Sequence, residues 1–296
     1  MMRLGYACIN TTLPTKFKTC RLATYHSKGA QYIKELTINN LKNVLAALEW
    51  NVQHNILFYR MSTEIVPLGS HQEMDWDWWE DEDILQLTDT IKQFKEEHDI
   101  RLSMHPGQYT LLSTPHEQVL ERSFLDLEYH DKLLNLTGGT DMIIHGGGKY
   151  GDMESAKLRF IENYKQLPQS IKNKLRLEND DKTYNLNDVL DISDETGVPV
   201  CFDIHHHRCC NIGTSLAPML DKVFASWEKT GVPKMHISSG KTHPEDRSHH
   251  EYVFEEDFKE LLEVLDGREA DIMLEAKLKE KAVLRIIDFL EKEKEK

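Results

Sequence analysis

The sequence predicts a (β/α)8 barrel, a TIM barrel in one domain spanning residues 1–296. Two observations carry this. Short apolar runs rich in β-branched and aliphatic residues recur along the chain, and longer segments with helical periodicity separate them. Alternating strands and helices imply a parallel sheet. Eight such units in a chain of 296 residues match the size of an α/β barrel.

The eight runs are RLGYAC (3–8), NILFYR (55–60), IRLSMH (100–105), DMIIH (141–145), KLRLE (174–178), VPVCFD (198–203), KMHIS (234–238) and DIMLE (271–275). Helical periodicity fills LTINNLKNVLAALEWNVQ, ILQLTDTIKQFKEEH, EQVLERSFLDLEYHDKLLNL and FEEDFKELLEVL between them. The terminal EKEKEK reads as a solvated helix end or fray from about residue 290.

Hydrophobic content is 40% and charged content 29%, which suits a globular protein with a sizeable core. MMRLGYACINTT lacks the apolar stretch of a secretory leader, and no run is long enough to cross a bilayer. We therefore expect a soluble cytoplasmic protein. The five cysteines, Cys8, Cys20, Cys201, Cys209 and Cys210, show no framework spacing and no CxxC, so we expect reduced packing cysteines. The net charge of −14 argues against a nucleic-acid partner for the surface as a whole. Between Thr12 and Val44, however, Lys16, Lys18, Arg21, Lys28, Lys34 and Lys42 face one acid, Glu35.

The ends of the runs carry the chemistry. Run three ends in His105, run four in His145, run five in Glu178, run six in Asp203 and run eight in Glu275, while run seven carries Lys234 and His236. Barrel enzymes keep their reactive groups at the C-terminal ends of their strands. Buried strands without a function would more often end in Gly, Asn or Ser. Imidazoles and carboxylates converging on one mouth suit Mn²⁺, Zn²⁺ or Fe²⁺, two or three ions with bridging carboxylates. Such sites hydrolyse phosphodiesters: one ion acidifies a bound water, others neutralise phosphoryl and leaving oxygens.

CFDIHHHRCC (201–210) is read as one wall of this site. Asp203 closes its strand and His206 turns back to the same centre. His205 and His207 flank it, each an alternative ligand or a donor to phosphate or to a ligand, and Arg208 is either a phosphate contact or a solvated charge. In KMHIS, Lys234 and His236 share a face. A lysine beside divalent ions must be deprotonated, paired elsewhere or converted by carbon dioxide to a carbamate; spacing alone favours the salt bridge. HPGQYT places Gln108 and Tyr109 where they can probe or stack on a base, and Tyr6 and Asn10 follow strand one in the same way. HGGGKY (145–150), with Lys149, either cradles a phosphate or turns tightly so that His145 can reach a metal. His71, His243, His249 and His250 are further candidates for the mouth. Trp76, Trp78 and Trp79 read as packing in an insertion.

These motifs together resemble the UV damage endonucleases, metal-dependent repair enzymes on a TIM barrel related to endonuclease IV. The resemblance runs over nearly the whole chain. It rests on GYACIN, YRMSTEIVPLGSH, SMHPGQY, IIHGGGK, RLENDD, CFDIHHH, KMHISSGK, RSHHEYV and MLEAK. It implies nicking of damaged double-stranded DNA immediately 5′ to cyclobutane dimers, 6-4 products and some other lesions. It implies two to three divalent ions, Mn²⁺ first, with Mg²⁺, Co²⁺ or Zn²⁺ as alternatives. It implies His105, His145, Glu178, Asp203, His206, His236, His249 and Glu275 as ligands. His71 is either a further ligand or orients a phosphate or water. It also implies carboxylation of Lys234, against the salt bridge, and Tyr6, Asn10, Gln108 and Tyr109 as probes of the lesion. The second histidine in RSHHEYV leaves His249 against His250 open, with spacing to Tyr252 favouring His249.

We therefore expect hydrolysis of a DNA phosphodiester, with Glu178, Lys234 and His236 central and in-line attack by hydroxide. Selectivity would come from the low cost of unstacking a damaged dinucleotide. The basic track would include Lys16, Lys18 and Arg21. A monomer with no obligate protein partner is expected. The rivals are a sugar isomerase of the xylose isomerase type, a non-enzymatic lesion binder and an abasic-site endonuclease.

Overall fold

Each apolar run forms a strand in the computed structural model, which describes residues 2–211, 213 and 215–295. The strands are β1 (Leu4–Ala7), β2 (Phe58–Arg60), β3 (Arg101–Met104), β4 (Asp141–His145), β5 (Leu175–Glu178), β6 (Val200–Asp203), β7 (Lys234–Ile237) and β8 (Asp271–Leu274). Each pairs in parallel with its neighbour in sequence, and β8 pairs with β1, closing the barrel. The fold is the expected single-domain (β/α)8 barrel.

The helices among the described residues are α1 (Leu22–Gln53), α2 (Glu82–Glu97), α3 (Glu117–Thr137), α4 (Met153–Gln166), α5 (Gln169–Lys174), α6 (Leu186–Thr196), α7 (Ile204–Cys209), α8 (Leu216–Ser226), α9 (Glu255–Leu265) and α10 (Glu280–Lys294). Local chemistry sets their ends. Asn185 and Asp188 form a reciprocal capping box at the start of α6. Gly138 ends α3 in the left-handed conformation that closes helices. Gly29, with φ 72°, breaks α1 near its start, a conformation that side chains with a Cβ resist. α10 continues through the charged C-terminal segment as far as Lys294, and residues 291–295 are exposed. Among the described residues, no helix is long and apolar enough to cross a membrane.

Alternation along each strand decides which side chains enter the barrel. His145 and Glu178 are register partners on β4 and β5, and Asp203 and His236 are partners on β6 and β7. Counting toward the N-terminal end in twos places Asp141, Arg176, Lys234, Arg101 and Asp271 in lower layers on the same inward face. Arg101 joins Asp141 at 2.8 Å and Asp271 at 2.9 Å, Arg176 joins Asp141 at 2.9 Å, and Arg3 joins Asp271 at 3.1 Å. Ion pairs thus plug the N-terminal end. The apolar core lies between the outward face of the sheet and the helices, where Leu102, Met142, Leu177, Phe202 and Met235 are fully buried.

Candidate metal centre

β5 delivers Glu178, wholly buried, to the C-terminal mouth. Four imidazoles converge on its two oxygens. Oε1 lies 2.8 Å from His236 Nδ1 and 3.5 Å from His206 Nδ1. Oε2 lies 3.1 Å from His105 Nε2 and 3.6 Å from His145 Nε2. Burial opposes ionisation of Glu178, but the imidazoles hold its carboxyl well below the usual range.

Asp203 closes β6 and caps α7, where Oδ1 accepts the His206 backbone N–H at 2.8 Å. That cap turns the chain so that His206 re-enters the site three residues on. Asn179, just after Glu178, fixes both ends of the turn. Its side chain bridges the Asp203 backbone, and its carbonyl accepts from His206 Nδ1 at 2.9 Å. His206 Nε2 is left available as a ligand atom. Glu275, just past β8, lies 3.4 Å from His236 Nδ1. Its main partner is Arg60, at the end of β2.

Three groups of donors follow: His105, His145 and Glu178; Glu178, Asp203 and His206; Asp203, His236 and Glu275. In each, one ligand atom from every residue lies within 4.8 Å of the others. Glu178 and Asp203 belong to two groups each, as bridging carboxylates would. Among the described residues, buried Asp203 Oδ2 and His145 Nδ1 have no hydrogen-bond partner, the nearest cation to Asp203 Oδ2 being His206 Nδ1 at 3.8 Å. A donor set of imidazole and carboxylate with an orphaned oxygen fits divalent cations. Burial pushes His105 down to about 4, so its imidazole is neutral and ready to ligate at neutral pH. His206 is different: burial opposes its charge, yet Asp203, Glu178 and Glu275 raise it to about 10, so a metal must displace a proton there.

Lys234 is fully buried, and its Nζ lies 2.6 Å from His236 Nε2. The salt bridge favoured by spacing is absent: among the described residues no carboxylate pairs with Lys234. Burial lowers its ammonium to about 8.

Other expected site residues fall around this centre. His249 faces it, with Nδ1 3.9 Å from Glu275 and its ring beside His205 and His206. His250 turns away, its Nδ1 accepting from Tyr252 N and its ring against Phe254. His71 stands outside the three donor groups. It is exposed and lines a cleft of about 650 Å³ with Tyr109, Glu64, Arg122 and Asp126. Gln108 and Tyr109 project from the loop after β3, with Tyr109 79% exposed. Lys16, Lys18, Arg21 and Lys149 are exposed and form no ion pair among the described residues. Asn39, Asn40 and Asn43 of α1 pin the backbone of residues 16–18.

Tyr6 differs from expectation. It alternates with the inward Gly5 and Ala7 and therefore points out of the barrel, wholly buried against α1. Its hydroxyl donates to Asn51 Oδ1 at 2.7 Å and accepts from Asn10 Nδ2 at 3.0 Å. In this conformation its ring cannot meet a base, and neither can the amide of Asn10, which is 1% exposed with Oδ1 accepting from Thr12 N and Leu13 N. Two glycines of HGGGKY are demanded by local geometry. A Cβ at Gly146 would sit 2.4 Å from the Tyr184 ring, and Gly147 has φ 91°. Arg60 and Asn179 join the site without having been singled out by sequence pattern. Arg60 stands at a strand end like the ligands, but a search for metal-binding side chains skips a cation.

The profile of the family described as "UV-endonuclease UvdE" matches residues 2–295. This chain belongs to the UvdE family. A UvdE relative from Bacillus pumilus (strain SAFR-032), the UV DNA damage endonuclease, is 38% identical over 303 residues, 97% of this chain and 93% of its own. The UV DNA damage endonuclease of Clostridium perfringens (strain 13 / Type A) is 35% identical and covers 98% of this chain and 71% of its own. The crystal structure of SacUVDE superposes with a TM-score of 0.91 at 35% identity, over 99% of both chains. Endonuclease IV from Thermus thermophilus shares the barrel at 15% identity, with a TM-score of 0.57 over 79% of this chain and 88% of its own.

Proposed function

We propose that this UvdE-family DNA endonuclease is metal-dependent and nicks the backbone immediately 5′ to UV photoproducts, cyclobutane dimers and 6-4 products among them. One observation carries the metal dependence: three donor groups share Glu178 and Asp203 at the barrel mouth, where Asp203 Oδ2 is buried with no hydrogen bond among the described residues. His105, His145, Glu178, Asp203, His206, His236, His249 and Glu275 would hold two to three divalent ions, Mn²⁺ first. Bound there, such ions supply an acidified water and neutralise charge on the phosphoryl group.

The chain's own residues do the rest. Asn179 and the Asp203 cap hold His206 in one orientation. Arg60 holds Glu275 against swinging outward. Lys234, uncharged in part near its lowered pKa, can take up carbon dioxide as a carbamate and become an anionic ligand. Tyr109, exposed on its loop, stacks on a base beside the lesion, and Gln108, exposed beside it, offers hydrogen bonds to base edges, while buried Tyr6 and Asn10 brace the turn after β1. Lys16, Lys18, Arg21 and Lys149 contact backbone phosphates. No obligate partner is required.

A 5′-labelled duplex carrying one thymine dimer tests this, with Mn²⁺ and with chelator, beside duplexes holding an abasic site or no lesion. A metal-dependent nick just 5′ to the dimer, lost in Glu178→Ala, is expected. Cutting only at the abasic site would overturn the lesion assignment, and cutting in chelator the metal dependence.

A further inference from the structure

A second cleft opens on the other side of the metal centre from the Tyr109 loop. It has a volume of about 340 Å³ and is lined by Arg60, Arg247, His249, Glu275, Lys277 and Lys279 with two alanines. Its four Lys and Arg side chains meet one carboxylate, in a protein of net charge −14. The local reversal of sign is what an anion site requires.

The cleft is also built in advance. The loop after β8 hydrogen-bonds to the loop after β7, with Lys277 N donating to His250 O at 3.1 Å and Leu278 N to Glu251 O at 3.0 Å. Lys279 is held at φ 49°, a strained conformation for a side chain with a Cβ. Neither Lys277 nor Lys279 forms an ion pair among the described residues. Arg247 has only a loose pair, 3.7 Å from Asp181. Arg60 is committed to Glu275, which leaves the lysines and Arg247 as cations without a firm partner.

Glu275 and His249 belong to this cleft and to the metal centre alike, so an anion bound here adjoins one bound at the metals. We propose that the cleft is a subsite for a DNA backbone phosphate flanking the scissile one, held chiefly by Lys277 and Lys279 with Arg247. This rests on the endonuclease reading. A strand crossing the mouth would be gripped at the cleft, cut at the centre and read at Tyr109.

The test compares wild type with Lys277→Gln/Lys279→Asn and with Lys277→Arg/Lys279→Arg. Lys279 has ψ −118°, outside the left-handed helical region, so circular dichroism and thermal denaturation first check that both variants keep the fold of wild type. Binding to the dimer duplex is followed by fluorescence anisotropy in chelator across a salt series. The neutral variant should bind about tenfold more weakly near 0.1 M salt, with the slope of log K against log salt shallower by about one. The arginine variant should restore both, and in incision assays the loss should fall on KM more than on kcat. A single methylphosphonate linkage next to the nick should weaken wild type but not the neutral variant. If wild type cuts while the neutral variant keeps its affinity and slope, the subsite falls and the endonuclease reading stands. If wild type neither binds nor cuts, both fall.

Discussion

Lys234 Nζ lies 2.6 Å from His236 Nε2, both fully buried on one strand. His236 Nδ1 in turn lies 2.8 Å from Glu178 Oε1, so amine, imidazole and carboxylate stand in line, and a metal held by His236 would displace one of these two contacts. The state of Lys234 therefore bears on the centre. Preparation with bicarbonate should raise incision and add the mass of one carbon dioxide to the intact protein. Lys234→Ala should be nearly inactive and partly rescued by small carboxylic acids. Lys234→Gln retaining full rate would remove any role for a carbamate.

Glu178 is where the four imidazoles meet, so its loss should exceed that of any single histidine. Glu178→Gln keeps the shape and removes the charge. We expect incision to fall about a thousandfold or more, the several kcal/mol that bound ions contribute to phosphoryl transfer. Wild type should gain thermal stability on Mn²⁺ addition, as a ligand of the folded state must confer, and the variant should gain little. Calorimetry with and without chelator measures it.

Burial disfavours charge on Asp141, but Arg101 and Arg176 outweigh burial and hold its carboxyl well below the usual range. A depressed carboxyl contributes stability that is present above its unfolded pKa, about 3.9, and lost as pH falls toward the folded value. Resistance to denaturant should therefore weaken below about pH 4. Asp141→Asn should cost about 3–5 kcal/mol at neutral pH, because Arg176 loses its carboxylate partner in the interior. It should also flatten the acid limb of the stability curve. An unchanged acid limb would mean that the network does not report through Asp141.

Tyr109 is exposed, so replacing it should leave folding intact. Tyr109→Ala should weaken binding to the dimer duplex by about 1–3 kcal/mol, the worth of one base–aromatic stack. Tyr6→Phe should behave differently. It leaves Asn51 and Asn10 without their buried partner and should lower stability by about 1–3 kcal/mol. Equal losses in binding alone for both variants would contradict the buried, supporting role of Tyr6.

Barrel and site were legible to different depths. The eight apolar runs became the eight strands because period-two burial and short length are local properties, written in consecutive residues. The residues closing those runs, His105, His145, Glu178, Asp203 and Glu275, converge because parallel register brings strand ends to one rim. The sequence by itself therefore determined the barrel, the rim and the family. It could not determine contacts made across the chain. Lys234 has no salt bridge, because its inward face meets His236 and apolar Phe58 rather than a carboxylate. Tyr6 points outward, because alternation from Gly5 and Ala7 puts it against α1. His249 rather than His250 faces the centre, because the loop after β7 pairs His250 N with Ser239 O and turns that ring toward Phe254. Arg60 and Glu275, 215 residues apart, become partners only when β8 closes on β1 beside β2. Local pattern decides which elements form; ring closure decides which charges meet.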